Sequence, residues 1–128
     1  MSELTTNVNW IATIIGAVLA FLLGWLWYSP RMFGTKWAQG AGVKIGDGAA
    51  MPAAPLVVQA IGTLLLSWVV SITATRDMLA TIILVAITIA VLVAAGGLFA
   101  RKSRYAIATE SGFVLAMVVV MILVQAVT

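Results

Sequence analysis

Residues 9–37 read NWIATIIGAVLAFLLGWLWYSPRMFGTKW, and the class of the whole chain follows from them. From Asn9 to Tyr28 there is no charged side chain. A bilayer core is crossed by ~20 apolar residues of helix, each rising 1.5 Å. The run therefore has spanning length. It is not built as a cleavable leader: no basic segment precedes it, its apolar stretch is too long, and Trp-Leu-Trp-Tyr stands where a small-residue cleavage site would lie. Pro30 ends it, because the residue before a proline is pushed out of helical geometry.

Three more runs follow, Leu56 to Thr75, Met78 to Ala100 and Tyr105 to Val127, which predicts spans over about 9–28, 56–75, 78–100 and 105–127. Pro52 and Pro55 frame the start of the second, where a proline in the first turn loses no internal hydrogen bond. Arg76-Asp77 and Arg101 to Arg104 are the short turns between later spans. The 128 residues are 63% hydrophobic and 9% charged, against roughly 25% charged in a soluble domain. A soluble fold this small could not bury so much apolar surface. The expected fold is an all-α integral membrane protein: a four-transmembrane-helix bundle with a short interfacial segment after helix 1, forming a single membrane domain over 1–128 with a cytoplasmic loop at 29–55.

Net charge is +3, but seven Lys and Arg scattered between apolar runs form no dense patch to release counterions, so no nucleic-acid partner is expected. The basic residues instead set orientation. Arg31, Lys36, Lys44, Arg101, Lys102 and Arg104 fall on one side, and Arg76 alone on the other. Positive-inside bias then places both termini outside the cytoplasm.

The aromatic and basic residues around Pro30 fit that placement. Trp27 and Tyr28 end the first span where indole and phenol rings favour the headgroup layer, and Trp10 opens it. Phe33 and Trp37 are four apart and share a face in a helical turn, while Arg31 and Lys36 can reach phosphates. Together Trp10, Trp27, Tyr28, Pro30, Arg31, Phe33, Lys36 and Trp37 are expected to anchor the chain to membrane lipids.

The same residues carry a resemblance. Asn9-Trp10, Gly24, Trp27-Tyr28-Ser29-Pro30, Phe33-Gly34 and Trp37 resemble the start of the bacterial membrane proteins grouped as domain-of-unknown-function family 1761. The resemblance implies a small multi-span membrane protein and carries no activity.

In lipid, helices meet through small residues that let backbones approach. Ala12, Gly16, Ala20 and Gly24 recur every four residues along span one. Span two offers Thr63, Ser67 and Ser71, with Thr75 beyond; span three has Ala86, Ala90 and Ala94; span four has Ala108, Gly112 and Ala116. Such seams serve contacts within one chain or between chains, so a homo-oligomer or a larger membrane complex is expected. A weak internal echo, Ile11 to Ile15 against Leu79 to Ile83, opens spans one and three.

Little is left to carry chemistry. With no Cys and no His there is no thiolate, no usual zinc site and no histidine base. No metal, cofactor or catalytic residue is expected. Met117 and Met121 read as apolar packing, and Gly46-Asp47-Gly48 as a turn without phosphate-loop spacing. Glu110 is the sole acid inside a span, about one and a half turns from its end, and ionisable groups there are functional candidates. Tyr28 and Gln59 lie at similar depth, so Tyr28, Gln59 and Glu110 form a candidate polar site. The favoured role for Glu110 is nevertheless structural, reaching the headgroups or pairing with a loop arginine. Thr109 and Ser111 beside it are expected to bond carbonyls one turn back. The leading expectation is a non-enzymatic structural or accessory subunit acting through helix assembly. The alternative is a small oligomeric carrier or channel in which Glu110 couples to a proton or cation.

Overall fold

A computed structural model describes residues 2–29, 31–42 and 53–128. Pro30, Lys44, Pro52 and Gly46-Asp47-Gly48 lie outside the described residues. Among the described residues a 3-10 turn at Ser2–Leu4 is followed by five helices: α1 Trp10–Trp27, α2 Gly34–Ala41, α3 Ala53–Thr75, α4 Leu79–Phe99 and α5 Arg104–Val127. No strand occurs among the described residues. α1, α3, α4 and α5 are long and apolar enough to cross a membrane, and the chain is a membrane-spanning protein.

Local chemistry sets the helix ends. The Asn9 side chain accepts from the Ala12 amide at 3.0 Å and so caps α1. Ser103 caps α5 in the same way, accepting from Ala106 at 3.1 Å. Both short turns use one residue in the left-handed region, Asp77 at φ 53° and Arg101 at φ 59°. Each lets the chain reverse while later amides satisfy terminal carbonyls: Met78 N–H donates to Thr73 at 2.8 Å, and Lys102 N–H to Gly97 at 3.0 Å. α3 begins one turn before the predicted Leu56, with Pro55 in its first turn, where its missing amide costs nothing.

Successive spans run antiparallel. α5 packs on all four of the other helices, α1 lies against α3 and α5, and α3 also meets α4. The shared core holds Ile82 and Ala86 of α4, Val70 of α3, Ala20 of α1, and Phe113 and Met121 of α5.

The polarity of the packing suits lipid. Thr13, Thr63, Ser67, Ser71, Thr73 and Thr109 are buried, whereas Trp25 is 76% and Phe99 90% exposed. The threonines among them donate to carbonyls one turn back, whereas Ser67 and Ser71 cross to the neighbouring segment. Ser67 donates to Thr13 at 2.7 Å, Ser71 to Asn9 at 3.3 Å and Thr75 to Asn7 at 3.0 Å, a ladder that ties α3 to α1 and the segment before it. At the same end the Trp68 indole donates to Leu4 at 2.7 Å and the Arg76 guanidinium to Glu3 at 2.7 Å.

Ala12, Gly16 and Ala20 are buried and Gly24 half-buried. A Cβ at Gly16 would stand 2.9 Å from Ser67 Oγ, and one at Gly24 2.8 Å from the Phe113 ring. The α1 stripe thus faces α3 and α5 of its own chain. Gly112 and Ala116 are half-buried, and a Cβ at Gly112 would lie 3.5 Å from Trp27.

Candidate functional site

The chain leaving α1 does not run away along the surface. Phe33 N–H donates back to the Trp27 carbonyl at 3.2 Å and Gly34 N–H to Ser29 at 2.9 Å, which folds it under the end of the bundle. Gly34 is held so close to the Tyr28 and Ser29 backbone that a side chain there would collide with it. α2 then lies against the start of α5: Ser103 N–H donates to Gly40 at 3.0 Å, and Gly40 packs directly on the Ser103 side chain. Gly42, in the left-handed region at φ 72°, terminates the helix.

This path carries Trp37 to Glu110. The indole nitrogen donates to Glu110 Oε2 at 2.8 Å, and Lys102 Nζ donates to Oε2 at 2.7 Å and Oε1 at 3.0 Å. The Glu110 side chain is 15% exposed and that of Lys102 28%. Burial raises the cost of leaving such a carboxylate without donors, and here both oxygens have them. The partner is Lys102 rather than an arginine of the same loop, because the left-handed turn at Arg101 sends Lys102 back over α5.

A cluster of aromatic rings adjoins the pair through Trp37. Tyr28 meets Trp37 edge-on at 4.7 Å and Phe113 at 5.3 Å, and Trp27 lies 4.8 Å from Phe33. The Trp27 indole donates to the Thr109 carbonyl at 2.9 Å, one residue before Glu110. Burial, and secondarily the Glu110 carboxylate, raise the phenol of Tyr28, just beyond α1, above its ordinary range, so that it stays protonated. Lys36 stands over the Tyr105 ring at 5.5 Å.

The expected anchor residues therefore divide. Trp27, Tyr28, Phe33 and Trp37 are half-buried and turned towards the bundle, while Arg31 and Lys36 are exposed. Trp10 belongs to the opposite end, where its ring meets Trp68 at 5.4 Å. The candidate polar site divides too. Tyr28 and Glu110 share the Trp37 ring and indole N–H, but Gln59 is exposed on α3 and its amide donates to Thr63 of the same helix at 3.2 Å. Thr109 bonds the Tyr105 carbonyl one turn back at 2.8 Å. Ser111 does not do likewise: its hydroxyl crosses to the Ala90 carbonyl of α4 at 3.0 Å, since the small Ala90 lets the helices close up.

Lys102 was not marked by the sequence as the partner of Glu110. Eight residues separate them, Lys102 lies before α5 begins, where helix periodicity does not fix its direction, and three basic residues compete in that loop. Nor does the sequence single out the Trp37 N–H or Trp68 as donors, since indoles near a span end ordinarily serve the headgroup layer. Chemically the assembled site is an ion pair with an indole donor, beside a cluster of aromatic rings. Among the described residues no three acidic side chains gather at one point.

A family model described as a protein of unknown function, DUF1761, matches residues 11–126, and the chain belongs to that family. No curated protein and no solved structure matches it.

Proposed function

We propose that this member of the DUF1761 family is a non-enzymatic membrane subunit that acts by assembling with other spanning helices, either its own copies or those of a larger complex. The observation that carries this reading is the engagement of Glu110. The ionisable side chain that would serve transport or catalysis from within a span is bound by Lys102 of the α4–α5 turn and by Trp37, whose bond fastens α2 to α5. The outward faces of the spans are apolar, as contact with lipid or with other spans requires. The Lys and Arg distribution supports an orientation with the basic end, Glu110 included, at the cytoplasmic face of a bacterial inner membrane and both termini across it.

The test is the mass of the particle extracted in mild detergent, with identification of the proteins that co-purify after crosslinking in the membrane. A defined oligomer or a recurrent membrane partner supports the reading; a lone chain with no crosslinked neighbour removes it. A carrier or channel is the second reading, resting on Glu110 being an acid held within a span. It is separated by measuring proton and cation movement in vesicles containing wild type or Glu110→Gln. Robust wild-type flux lost in the variant would establish the carrier instead.

A further inference from the structure

One feature of the bundle is used by neither the ion pair nor the helix seams. α3 and α4 are joined at one end by the Arg76–Asp77 turn; towards the basic end a groove of about 420 Å³ opens between α3 and the α4–α5 pair. Pro55, Val58, Gly62 and Leu66 of α3 face Ile89 of α4 and Met117 of α5 across it. A Cβ at Gly62 would meet nothing within 4 Å. The wall is apolar apart from Gln59 and Thr63, whose side chains bond to each other.

Its dimensions select the occupant. Pro55 and Leu66 are about 17 Å apart along a helix axis, so the groove's volume of about 420 Å³ is drawn out along α3 as a narrow cleft. A helix with its side chains is about 10–12 Å wide and does not enter bodily. A hydrocarbon chain, whose carbons touch neighbours at about 3.5–4 Å, does. Charge selects the headgroup. Among the described residues the basic end exposes Arg31, Lys36, Arg101 and Arg104, while its carboxylate, Glu110, is already held by Lys102. The start of α3 and the α4–α5 turn lie at that same end, so a chain in the groove leaves its phosphate in a layer rich in cations.

We propose that the groove between α3 and α4–α5 holds an acyl chain of one anionic phospholipid, drawn from the leaflet at the basic end, with its headgroup in the layer that carries those cations. The lipid completes the bundle where α3 and α4 stand apart. This holds whichever side of the membrane the basic end occupies, and whether or not the chain self-assembles.

The experiment counts lipid on the purified full chain. Wild type and Gly62→Phe are extracted from vesicles of phosphatidylglycerol and phosphatidylcholine in equal parts, washed in detergent, and weighed by native mass spectrometry. Wild type should keep one phosphatidylglycerol per chain, and Gly62→Phe should keep roughly an order of magnitude less, because its ring fills the groove. Equal retention in the two proteins, or equal retention of the two lipids by wild type, would overturn the proposal. So would a wild-type dimer that Gly62→Phe converts to monomer without loss of lipid, since the occupant would then be a second copy. A second measurement does not depend on the folding of Gly62→Phe. The chain has no cysteine, so a fluorophore on Pro55→Cys, exposed at the mouth of the groove, reports from there alone and leaves the space at Gly62 open. Its quenching by brominated phosphatidylglycerol should saturate at a lower mole fraction than by brominated phosphatidylcholine; coincident curves would sink the idea.

Discussion

The Trp37 indole nitrogen lies 2.8 Å from Glu110 Oε2, although 73 residues separate the two in sequence. The bond joins the short helix after the first span to the interior of the last. It makes α2 a docked part of the bundle rather than a segment resting on the headgroups.

We predict that Trp37→Phe loosens α2 while the spans stay intact. The ring is largely kept and Glu110 retains Lys102, so the loss is one hydrogen bond to a charged acceptor, about 1–2 kcal/mol at this partly exposed site. Hydrogen exchange should accelerate at the amides of α2 and leave the centre of α5 unchanged. Unaltered protection of α2 would show that Gly40 and Ser103 hold it without the indole.

Two glycines should respond in opposite ways to the same substitution. Gly16→Ala places a methyl group 2.9 Å from Ser67 Oγ, pressing on a hydroxyl that is bonded to the Thr13 carbonyl. Overpacking of this kind costs about 1–3 kcal/mol. Gly96→Ala meets nothing within 4 Å and lies within α4, so it gains up to about 1 kcal/mol from reduced freedom of the unfolded chain. Thermal unfolding in one detergent compares them directly. Equal melting temperatures would mean that the α1 seam is looser than the distances show.

Ser67→Ala removes a buried bond between α3 and α1 and leaves the Thr13 carbonyl with its helical partner. Hydrogen bonds between membrane helices average about 0.6 kcal/mol. We therefore predict a small destabilisation, well below that of Gly16→Ala, in the same melting experiment. A larger loss for Ser67→Ala than for Gly16→Ala would reverse the assignment of which contact holds the seam.

Single cysteines at Ser2, Thr35 and Thr128, all exposed, should divide by side of the membrane. Ser2 and Thr128 should react with an impermeant thiol reagent added outside intact cells, and Thr35 only after the membrane is opened. Labelling of Thr35 from outside would invert the orientation.

What the sequence made legible depends on whether the signal is local. The four spans were readable because each is set by length and an apolar run, and the helices begin and end within three residues of the predicted limits. The small residues of α1 were readable because their spacing matches the helix period. The pairing of Lys102 with Glu110 was not, because it hangs on a left-handed turn at Arg101, a conformation that a non-glycine residue does not advertise. Gln59 was grouped with Tyr28 and Glu110 by depth alone. Depth leaves the direction around the helix axis free, and Gln59 turns to Thr63 instead.

α5 touches each of the other helices, and synthesis reaches it after them. Until it is in the bilayer, α4 has no partner for Ala90, α2 has no carboxylate to dock on, and Gly24 has no aromatic ring to close against. Insertion of the preceding segments and closure of the bundle are thus separate events in time. The chain passes through a stage in which α1, α3 and α4 are threaded and can already meet while the seams that α5 fills stand open to lipid, and it leaves that stage only when α5 arrives.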